Sequence, residues 1–216
     1  MKKIILIGAS GFIGSAILKE ALLRKNKVIA IVRNPDKIKV SDPYLTIRKG
    51  DVSSSDLVAR LCRGADVVIS AYNPGWTNPN IAEDTLKIYP AVLEGVKRSG
   101  VKRFLVVGGA GTLFVSPGKR IMDSGMIPEP YLPAVRALGK FYLDILSSET
   151  ELDWVFFSPA NTIKPGKRTG KYRLGKDNMI VDSEGKSNIS VEDYAVAMID
   201  EAENPAHHRE RFTIGY

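Results

Sequence analysis

The sequence predicts an α/β protein of the Rossmann type, with a doubly wound parallel sheet in a single domain spanning residues 1–216. Short β-rich segments alternate with longer helical segments, and a glycine-rich turn joins the first strand to the first helix. A length of 216 residues and a hydrophobic content of 44% suit one complete core. No repeat or linker divides the chain, and we expect residues 158–190 to form a small substrate-side lobe.

Six apolar segments, rich in β-branched residues, are predicted to form the strands of the sheet. They are Lys3–Ile7, Val28–Val32, Leu45–Lys49, Val67–Ser70, Phe104–Val107 and Trp154–Phe157. The first segment also resembles the start of a secretory signal. Glycines interrupt its apolar stretch and no cleavage site follows, so we interpret it as a buried strand.

Five longer segments have the apolar spacing of helices that cover a sheet. They are Phe12–Arg24, Ser55–Arg63, Ile81–Ser99, Tyr131–Ser148 and the segment from Val191 to about Ala202. Pro90 is expected to kink or split the third helix. Ser190 and Asp193 resemble a capping box at the start of the last helix, with Asp in place of Glu.

Two long segments, Gly108–Pro130 and Asn161–Ser190, lack a clear period. The second is predicted to contain short strands near Lys171–Leu174 and Met179–Val181. Both follow the carboxyl end of a predicted parallel strand, where open α/β sheets bind their ligands.

The turn after the first strand has the pattern G-x-x-G-x-x-G. Its glycines suit a tight turn, a close approach of the backbone to a diphosphate, and close packing of the helix on the strand. The helix N-terminus then supplies free amides and a positive dipole end. We therefore predict a dinucleotide site at Gly8, Ser10, Gly11, Phe12, Ile13 and Gly14.

The end of the second strand distinguishes NAD from NADP. An acidic residue there would bond the ribose 2′-hydroxyl, whereas an arginine accommodates a 2′-phosphate. This sequence has Arg33, and Asp36 is expected to point away beyond Pro35. The prediction is NADP(H) in preference to NAD(H), with a solvated strand-end charge as the alternative interpretation of Arg33.

Several of these motifs resemble the atypical short-chain dehydrogenase/reductase superfamily, across essentially the whole chain. The narrower resemblance is to NADH-flavin reductases and NAD-dependent epimerase/dehydratase-like proteins, close to the NmrA-like and biliverdin reductase B groups. The motifs are Gly8–Gly14, Arg33–Pro35, Gly50–Val52, Gly108–Gly111, Asp153–Trp154, Ser158–Ala160, Arg168–Gly170 and Ile189–Ala195.

The resemblance also implies roles for residues that the spacing does not identify. Asp51 and Val52 would border the adenine, and Ala71 and Tyr72 would face the ribose. Gly108 and Gly109 join the predicted cofactor site, and Ser158, Pro159 and Ala160 would approach the nicotinamide.

Superfamily members that oxidise alcohols or epimerise sugars use Tyr-x-x-x-Lys on the helix after the fifth strand, where the Lys lowers the Tyr pKa. Here Tyr131 is followed by Val135, and Tyr142 by Leu146. The one match, Tyr172 with Lys176, lies where no helix is expected. This disfavours epimerase or dehydratase chemistry and leaves the catalytic residues unknown.

The predicted acceptor pocket is apolar and aromatic. It comprises Asn73, Trp76, Phe114, Met122 and Phe157, although Trp76 and Phe114 are equally suited to anchoring loops. A flat acceptor beside the nicotinamide needs proximity more than a dedicated acid, since solvent can supply the proton.

The chain carries 31 basic and 24 acidic residues, a net charge of +7 that permits anionic ligands. The basic run at Lys164, Lys167, Arg168, Lys171, Arg173 and Lys176 lacks interleaved aromatic residues apart from Tyr172 and is interpreted as a solvated loop. Cys62 is the single cysteine and there are two histidines, so no metal site is expected and a cytoplasmic location is predicted.

The sequence thus predicts an NADPH-dependent oxidoreductase that transfers hydride to a flavin-like or quinone-like acceptor. A non-catalytic NADP-binding redox sensor of the NmrA-like type is the alternative, followed by a nucleotide-sugar epimerase or dehydratase. The expected partner is a small aromatic molecule rather than a nucleic acid or a membrane, and the protein is expected to be a monomer or a homodimer.

Overall fold

An eight-stranded sheet forms the centre of the computed structural model, which describes all residues from 1 to 216. The strands of the chain are β1 (Lys3–Ile7), β2 (Lys27–Val32), β3 (Leu45–Lys49), β4 (Val67–Ser70), β5 (Arg103–Val107), β6 (Phe114–Ser116), β7 (Lys119–Arg120), β8 (Asp153–Ser158), β9 (Thr162–Lys164), β10 (Arg173–Gly175), β11 (Asn188–Ser190) and β12 (Glu210–Gly215). The helices are α1 (Phe12–Leu23), α2 (Ser55–Cys62), α3 (Ile81–Ser99), α4 (Leu132–Lys140) and α5 (Val191–Glu203).

The strand order confirms the predicted Rossmann-type fold. The sheet runs β10-β12-β8-β5-β4-β1-β2-β3, and every neighbouring pair is parallel except β10 with β12. All six predicted strands are present, with bounds within one residue of those expected. The order reverses between β1 and β4, and this switch point opens a crevice at the carboxyl ends of the strands.

Two hydrophobic cores fill the space on the two faces of the sheet. Successive residues of β1 alternate between them, because Ile4 and Leu6 pack towards α1 and α5 while Ile5 and Ile7 pack towards α2 and α3. All four side chains are at most 1% exposed. Burial on both faces explains why the parallel strands are apolar throughout instead of alternating with polar residues.

The helices follow the prediction with two differences. The third helix is a single element from Ile81 to Ser99 with Pro90 inside it, so the expected split does not occur. The carbonyl that Pro90 cannot bond belongs to Leu86, which is exposed, and water can satisfy it. The fourth helix continues beyond Lys140 as a π-helical turn, Phe141–Ile145, and a final 3-10 turn. None of the helices combines the length and apolar character of a membrane span.

The structure corrects the strand prediction in the polar C-terminal third. Met179–Val181 is not a strand, since only the adjacent Asn178 forms an isolated bridge, to Phe114. The strand β10 at Arg173–Gly175 matches the other expected segment. The sequence interpretation missed β12, which lies between β10 and β8, and the β6–β7 hairpin within the long Gly108–Pro130 connection.

The predicted capping box at the start of α5 is only half formed. The Ser190 hydroxyl accepts the Asp193 amide at 3.0 Å, as expected. The Asp193 carboxylate turns instead to the 158–190 segment, where it accepts the amides of Thr169 and Gly170 at 2.7 and 2.8 Å. It also accepts the Tyr216 hydroxyl, which follows β12, at 2.7 Å. Asp193 thereby fastens the 158–190 segment to the helix.

The basic run of the lobe is partly paired. Arg168 forms a bidentate ion pair with Glu20 of α1 at 2.8 Å, and Lys176 pairs with Glu210 at 3.2 Å. Arg173 donates to the main-chain carbonyls of Val181 and Tyr216. These cations hold the lobe against the sheet and α1.

Asp193→Asn is expected to lower the free energy of unfolding by about 2 kcal/mol at pH 7, because a fully buried acceptor of charge-assisted bonds becomes neutral and partly a donor. Burial acts to raise the Asp193 pKa, but bonds from Thr169, Tyr216 and Gly170 hold it below the ordinary value of 3.8. The contribution is therefore complete above about pH 5 and is lost as the pH falls through the lowered pKa.

Urea unfolding of wild type and variant between pH 7 and pH 3 measures this difference. Asp56→Asn is the control, because the Asp56 side chain is 80% exposed and its loss is expected to change stability by less than about 0.5 kcal/mol. A difference for Asp193→Asn that stays constant down to pH 3 would contradict the assignment.

Candidate functional site

The glycine turn places backbone against backbone at the switch point of the sheet. Gly8 has a φ of +79°, and a Cβ there would stand well under 3.0 Å from the Ala71 carbonyl at the end of β4. A Cβ on Gly14 would come equally close to the Gly8 carbonyl oxygen. Only glycine fits these two positions, and their contact sets the first turn of α1 directly on the end of β1.

The N-terminus of α1 is open. Gly11 is its N-cap residue, no side chain bonds the first-turn amides, and the first turn contains no acidic residue. The free amides and the positive end of the 12-residue helix therefore face the crevice without a competing anion. This is the arrangement that holds a diphosphate.

Two concave regions meet along this edge of the sheet. We call them the polar pocket, of about 460 Å³, and the apolar cavity, of about 800 Å³. They share the residues at the ends of β1 and β4, namely Gly11, Ala71, Tyr72, Asn73 and Pro74. A ligand can therefore extend from one into the other across the N-terminus of α1.

The polar pocket concentrates charge. Its charged side chains are Arg33, Lys37, Asp51, Asp84 and Lys87. The Ser53 amide, 3.0 Å from the Asp51 carboxylate, holds the Asp51 pKa below its usual range, and the charges of Arg33 and Lys87 act in the same direction. The pocket therefore presents three cations, one from the end of β2, one from the turn that follows and one from α3.

Asp36 was expected to point away from the cofactor site, and it does not line the polar pocket. It lies in a 3-10 turn after Pro35, and its amide donates to the Asn34 side chain at 3.0 Å. No carboxylate of this turn competes with Arg33 in the pocket.

Tyr72 stands between the two regions and is only 8% exposed. The Tyr89 hydroxyl donates to the Tyr72 carbonyl at 2.6 Å, and the two rings meet edge to face at 5.5 Å. Burial raises the Tyr72 pKa to about 12, so the phenol is neutral at physiological pH. It is a fixed neutral wall rather than a titrating group.

The apolar cavity has no charged wall. None of its 30 lining residues is Asp, Glu, Lys, Arg or His, and its only titratable groups are Tyr72, Tyr89 and Tyr131. Trp76, on the loop after β4, and Tyr131, the N-cap residue of α4, meet edge to face at 5.4 Å and are 58% and 47% exposed. Its inner surface comes from β5, β8, α3 and α4, including Tyr89, Phe156 and Leu138.

The polar pocket and the apolar cavity together form one groove, and most of the predicted cofactor residues line it. Those that line it are Gly8, Ser10, Gly11, Phe12, Ile13, Arg33, Asp51, Val52, Ala71, Tyr72, Gly108, Gly109, Pro159 and Ala160. Gly14 does not line it, because it lies behind the turn against Gly8. Ser158 does not line it either, since this last residue of β8 is fully buried.

The predicted acceptor pocket needs a larger correction. Asn73 and Trp76 line the apolar cavity, but Phe114, Met122 and Phe157 do not. Phe157 points to the opposite face of the sheet, where it stacks between Tyr194 at 4.3 Å and Phe212 at 4.0 Å. Its neighbour Phe156 faces the cavity instead, because adjacent strand residues alternate.

Phe114 and Met122 lie in the connection between β5 and α4, outside the cavity lining. Phe114 opens the β6–β7 hairpin, where the Arg120 guanidinium lies 5.3 Å from its ring centre. Met122 packs against Gly139 on α4.

No Tyr-x-x-x-Lys pair faces the polar pocket or the apolar cavity. Lys140 on α4 is 63% exposed and pairs with Asp144 at 2.6 Å. The Tyr172 hydroxyl donates to Asp200 at 2.9 Å, whereas Lys176 pairs with Glu210, so the one sequence match has no shared site. Tyr131 lines the cavity without a lysine beside it.

Sequence reasoning missed Lys37, Asp84, Lys87 and the contribution of α4. The signal for Lys87 was its spacing from Asp84, since residues three apart share a helix face. The helix face that lines the pocket depends on how α3 packs against the sheet, and the residue spacing alone does not determine this packing.

Comparison with known proteins identifies the family. The sequence model of the NAD(P)H-binding family matches residues 8–205. YwnB of Bacillus subtilis is 41% identical over 215 residues, covering 98% of this chain and 97% of YwnB. The crystal structure of a candidate epimerase from Bacteroides thetaiotaomicron is 61% identical, covers 100% of this chain and 97% of its own, and superposes with a TM-score of 0.95.

A second similar structure is that of a candidate NADH-flavin reductase from Streptococcus pneumoniae. It is 31% identical, covers 100% of this chain and 99% of its own, and has a TM-score of 0.84. This chain belongs to the NAD(P)H-binding family, and the glycine cradle with the open α1 N-terminus fits the nicotinamide dinucleotide that the family binds.

Gly14→Ala is expected to lower the free energy of unfolding by roughly 2–4 kcal/mol, because its methyl group would collide with the Gly8 carbonyl and force α1 away from β1. Gly11→Ala is the matched control. Its Cβ would meet only the Gly8 oxygen, at 3.3 Å, and its φ is −80°, so we expect a loss below about 1 kcal/mol. Urea unfolding of the two variants compares them, and equal losses would show that the Gly14 contact is not limiting.

Proposed function

We propose that this member of the NAD(P)H-binding family is an oxidoreductase that uses NADPH to reduce a flavin-like or quinone-like acceptor. The continuity of the polar pocket with the apolar cavity carries the proposal. A dinucleotide crossing the α1 N-terminus has its adenosine on the charged side and its nicotinamide on the apolar side, next to room for a second molecule.

The polar pocket supports the choice of NADPH. A ribose 2′-phosphate near the end of β2 would lie among the cations of Arg33, Lys37 and Lys87. Asp51 and Asp84 also line this pocket, but the turn that follows β2 brings no carboxylate into it.

In this proposal the cofactor supplies the hydride, and the protein positions the nicotinamide and the acceptor beside each other. Gly108, Gly109, Pro159 and Ala160 border the apolar cavity where the nicotinamide would lie. An apolar lining limits water at the reacting faces, while the entrance beside Trp76 and Tyr131 is open to solvent. The proton that completes the reduction can enter there, so no side-chain acid is required. The absence of a Tyr-x-x-x-Lys pair is consistent with this chemistry. The name of the similar streptococcal protein agrees with a flavin acceptor.

A non-catalytic NADP sensor is the second candidate, because the same groove lacks a Tyr-x-x-x-Lys pair. It differs from the leading proposal in having no turnover. An epimerase, the activity named for the similar Bacteroides protein, or a dehydratase would need a proton-transfer pair that the cavity lining does not contain.

The expected setting is the cytoplasm, with a small molecule as the partner. Cys62 is buried and free, and burial raises its pKa to about 12, so it is an inert packed thiol suited to a reducing compartment. A monomer or a homodimer remains the predicted assembly.

Arg33→Ala is expected to weaken NADPH binding about 10- to 100-fold and to leave NADH binding within about twofold, because only NADPH has the 2′-phosphate that the guanidinium would bond. Isothermal titration calorimetry with both cofactors measures the two affinities. Lys39→Ala is the control, since Lys39 is exposed on the next turn and does not line the pocket. An equal loss for both cofactors would show that Arg33 does not recognise the 2′-phosphate.

NADPH oxidation, followed at 340 nm with riboflavin, FMN, FAD and soluble quinones, tests the reaction itself. Gly11→Asp is the inactive reference, because its carboxylate would stand at the open α1 N-terminus and repel the diphosphate. We expect the wild type to exceed this reference by at least about 100-fold with one acceptor. Tight NADPH binding without turnover above the reference would instead identify the sensor.

A further inference from the structure

The apolar cavity is uncharged although the chain carries a net charge of +7. We infer that its acceptor is an uncharged planar quinone, entering past the Trp76–Tyr131 pair, rather than a ligand that brings an anionic group into the cavity. This inference rests on the proposed reductase function and assigns its acceptor class.

The two halves of the groove differ in charge. Five charged side chains line the smaller polar pocket, and none lines the larger apolar cavity. A phosphate, carboxylate or sulfonate placed in the cavity would lose its hydration without gaining a cation, which costs several kcal/mol in a protein interior. A neutral ring loses little hydration and gains apolar burial.

Aromatic side chains form much of the wall of the apolar cavity. Trp76 and Tyr131 stand edge to face at 5.4 Å, and Tyr72, Tyr89 and Phe156 add further ring surfaces to the lining. Aromatic rings prefer offset-stacked or edge-to-face partners, so this lining favours a flat unsaturated guest. The cavity volume of about 800 Å³ lies within the range of small-molecule sites.

The position of Trp76 is held by its own loop. The Asn73 side chain accepts the Gly75 amide at 2.7 Å, and the Asn78 side chain donates to Asp84 of α3 at 2.7 Å. Both bonds fix the backbone on either side of Trp76, while the ring itself stays 58% exposed. A large exposed ring held over an apolar cavity is available to contact a ligand.

The reduction balances with the groups that the proposal names. A quinone takes one hydride, with its electron pair, from the dihydronicotinamide, and one proton from solvent. The C4–H bond of the nicotinamide breaks, the cofactor is oxidised, and both quinone carbonyls become hydroxyls. Hydride transfer leaves a positive charge on the oxidised nicotinamide and a negative charge on the hydroquinone monoanion beside it. The proton that neutralises this anion arrives from solvent through the open entrance.

The test compares two acceptors that differ in one charged group, 2-methyl-1,4-naphthoquinone and 1,4-naphthoquinone-2-sulfonate, with saturating NADPH. We expect kcat/KM for the neutral quinone to be at least about 30-fold higher. The sulfonate withdraws electrons and makes its ring easier to reduce, so intrinsic reactivity acts against this result. Equal or faster reduction of the sulfonate would overturn the inference and leave the reductase function standing.

A charge placed in the lining makes the test specific. Ile127 lines the cavity and is partly buried. Ile127→Lys is expected to shrink the preference for the neutral quinone at least tenfold, whereas the matched Ile127→Met, which has similar bulk without charge, keeps it. A preference that is unchanged by Ile127→Lys would mean that the cavity does not discriminate by charge.

Binding separates this inference from the reductase proposal. Isothermal titration calorimetry of the protein loaded with 1,4,5,6-tetrahydro-NADP, whose ring is uncharged like that of NADPH but donates no hydride, measures the affinity for both quinones without turnover. Tighter binding of the neutral quinone with no reduction of either would uphold the cavity assignment and overturn the reductase function.

Trp76→Ala is expected to weaken neutral quinone binding at least fivefold. Leu174→Ala, which removes another exposed apolar side chain outside the cavity, is expected to have no effect.

Discussion

The close contact among the ends of β1, β4 and α1 is the constraint on which the remaining architecture depends. The Gly8 and Ala71 carbonyls occupy the space that side chains on Gly14 and Gly8 would need. Because the backbones touch there, the first turn of α1 sits at the carboxyl edge of the sheet, at the point where the strand order reverses. The crevice, the exposed helix terminus and the two adjoining concave regions follow from this placement.

The division of the groove into charged and uncharged halves reflects which elements reach each side. Beyond β1 the charged half is built from the end of β2, the loop after β3 and one face of α3, which are solvent-exposed and tolerate Lys, Arg and Asp. The uncharged half is built from the ends of β5 and β8 and from α4, which pack on one another. A side-chain charge among these elements would have to be buried, so their lining is apolar for the same reason that the core is.

The fold was largely predictable because the buried strands are continuous apolar runs separated by helices of clear period. The glycine turn was predictable because its spacing has a steric cause. The acceptor side was not, since the choice between Phe156 and Phe157 depends on one residue of strand register, which two consecutive phenylalanines leave open. The strand β12 was missed because its short apolar segment follows a polar helix end, and its partner β8 lies about fifty residues earlier.

The two tryptophans of the chain occupy opposite environments, so their intrinsic fluorescence can report on two parts of the structure. Trp154 is 3% exposed, donates its indole N–H to the Glu149 carbonyl at 3.0 Å and packs near Tyr142 in the core. Trp76 stands in water at the cavity entrance. Emission from the first is expected at shorter wavelength and emission from the second at longer wavelength. A single spectrum therefore reports the state of the core and the occupancy of the entrance as separate signals.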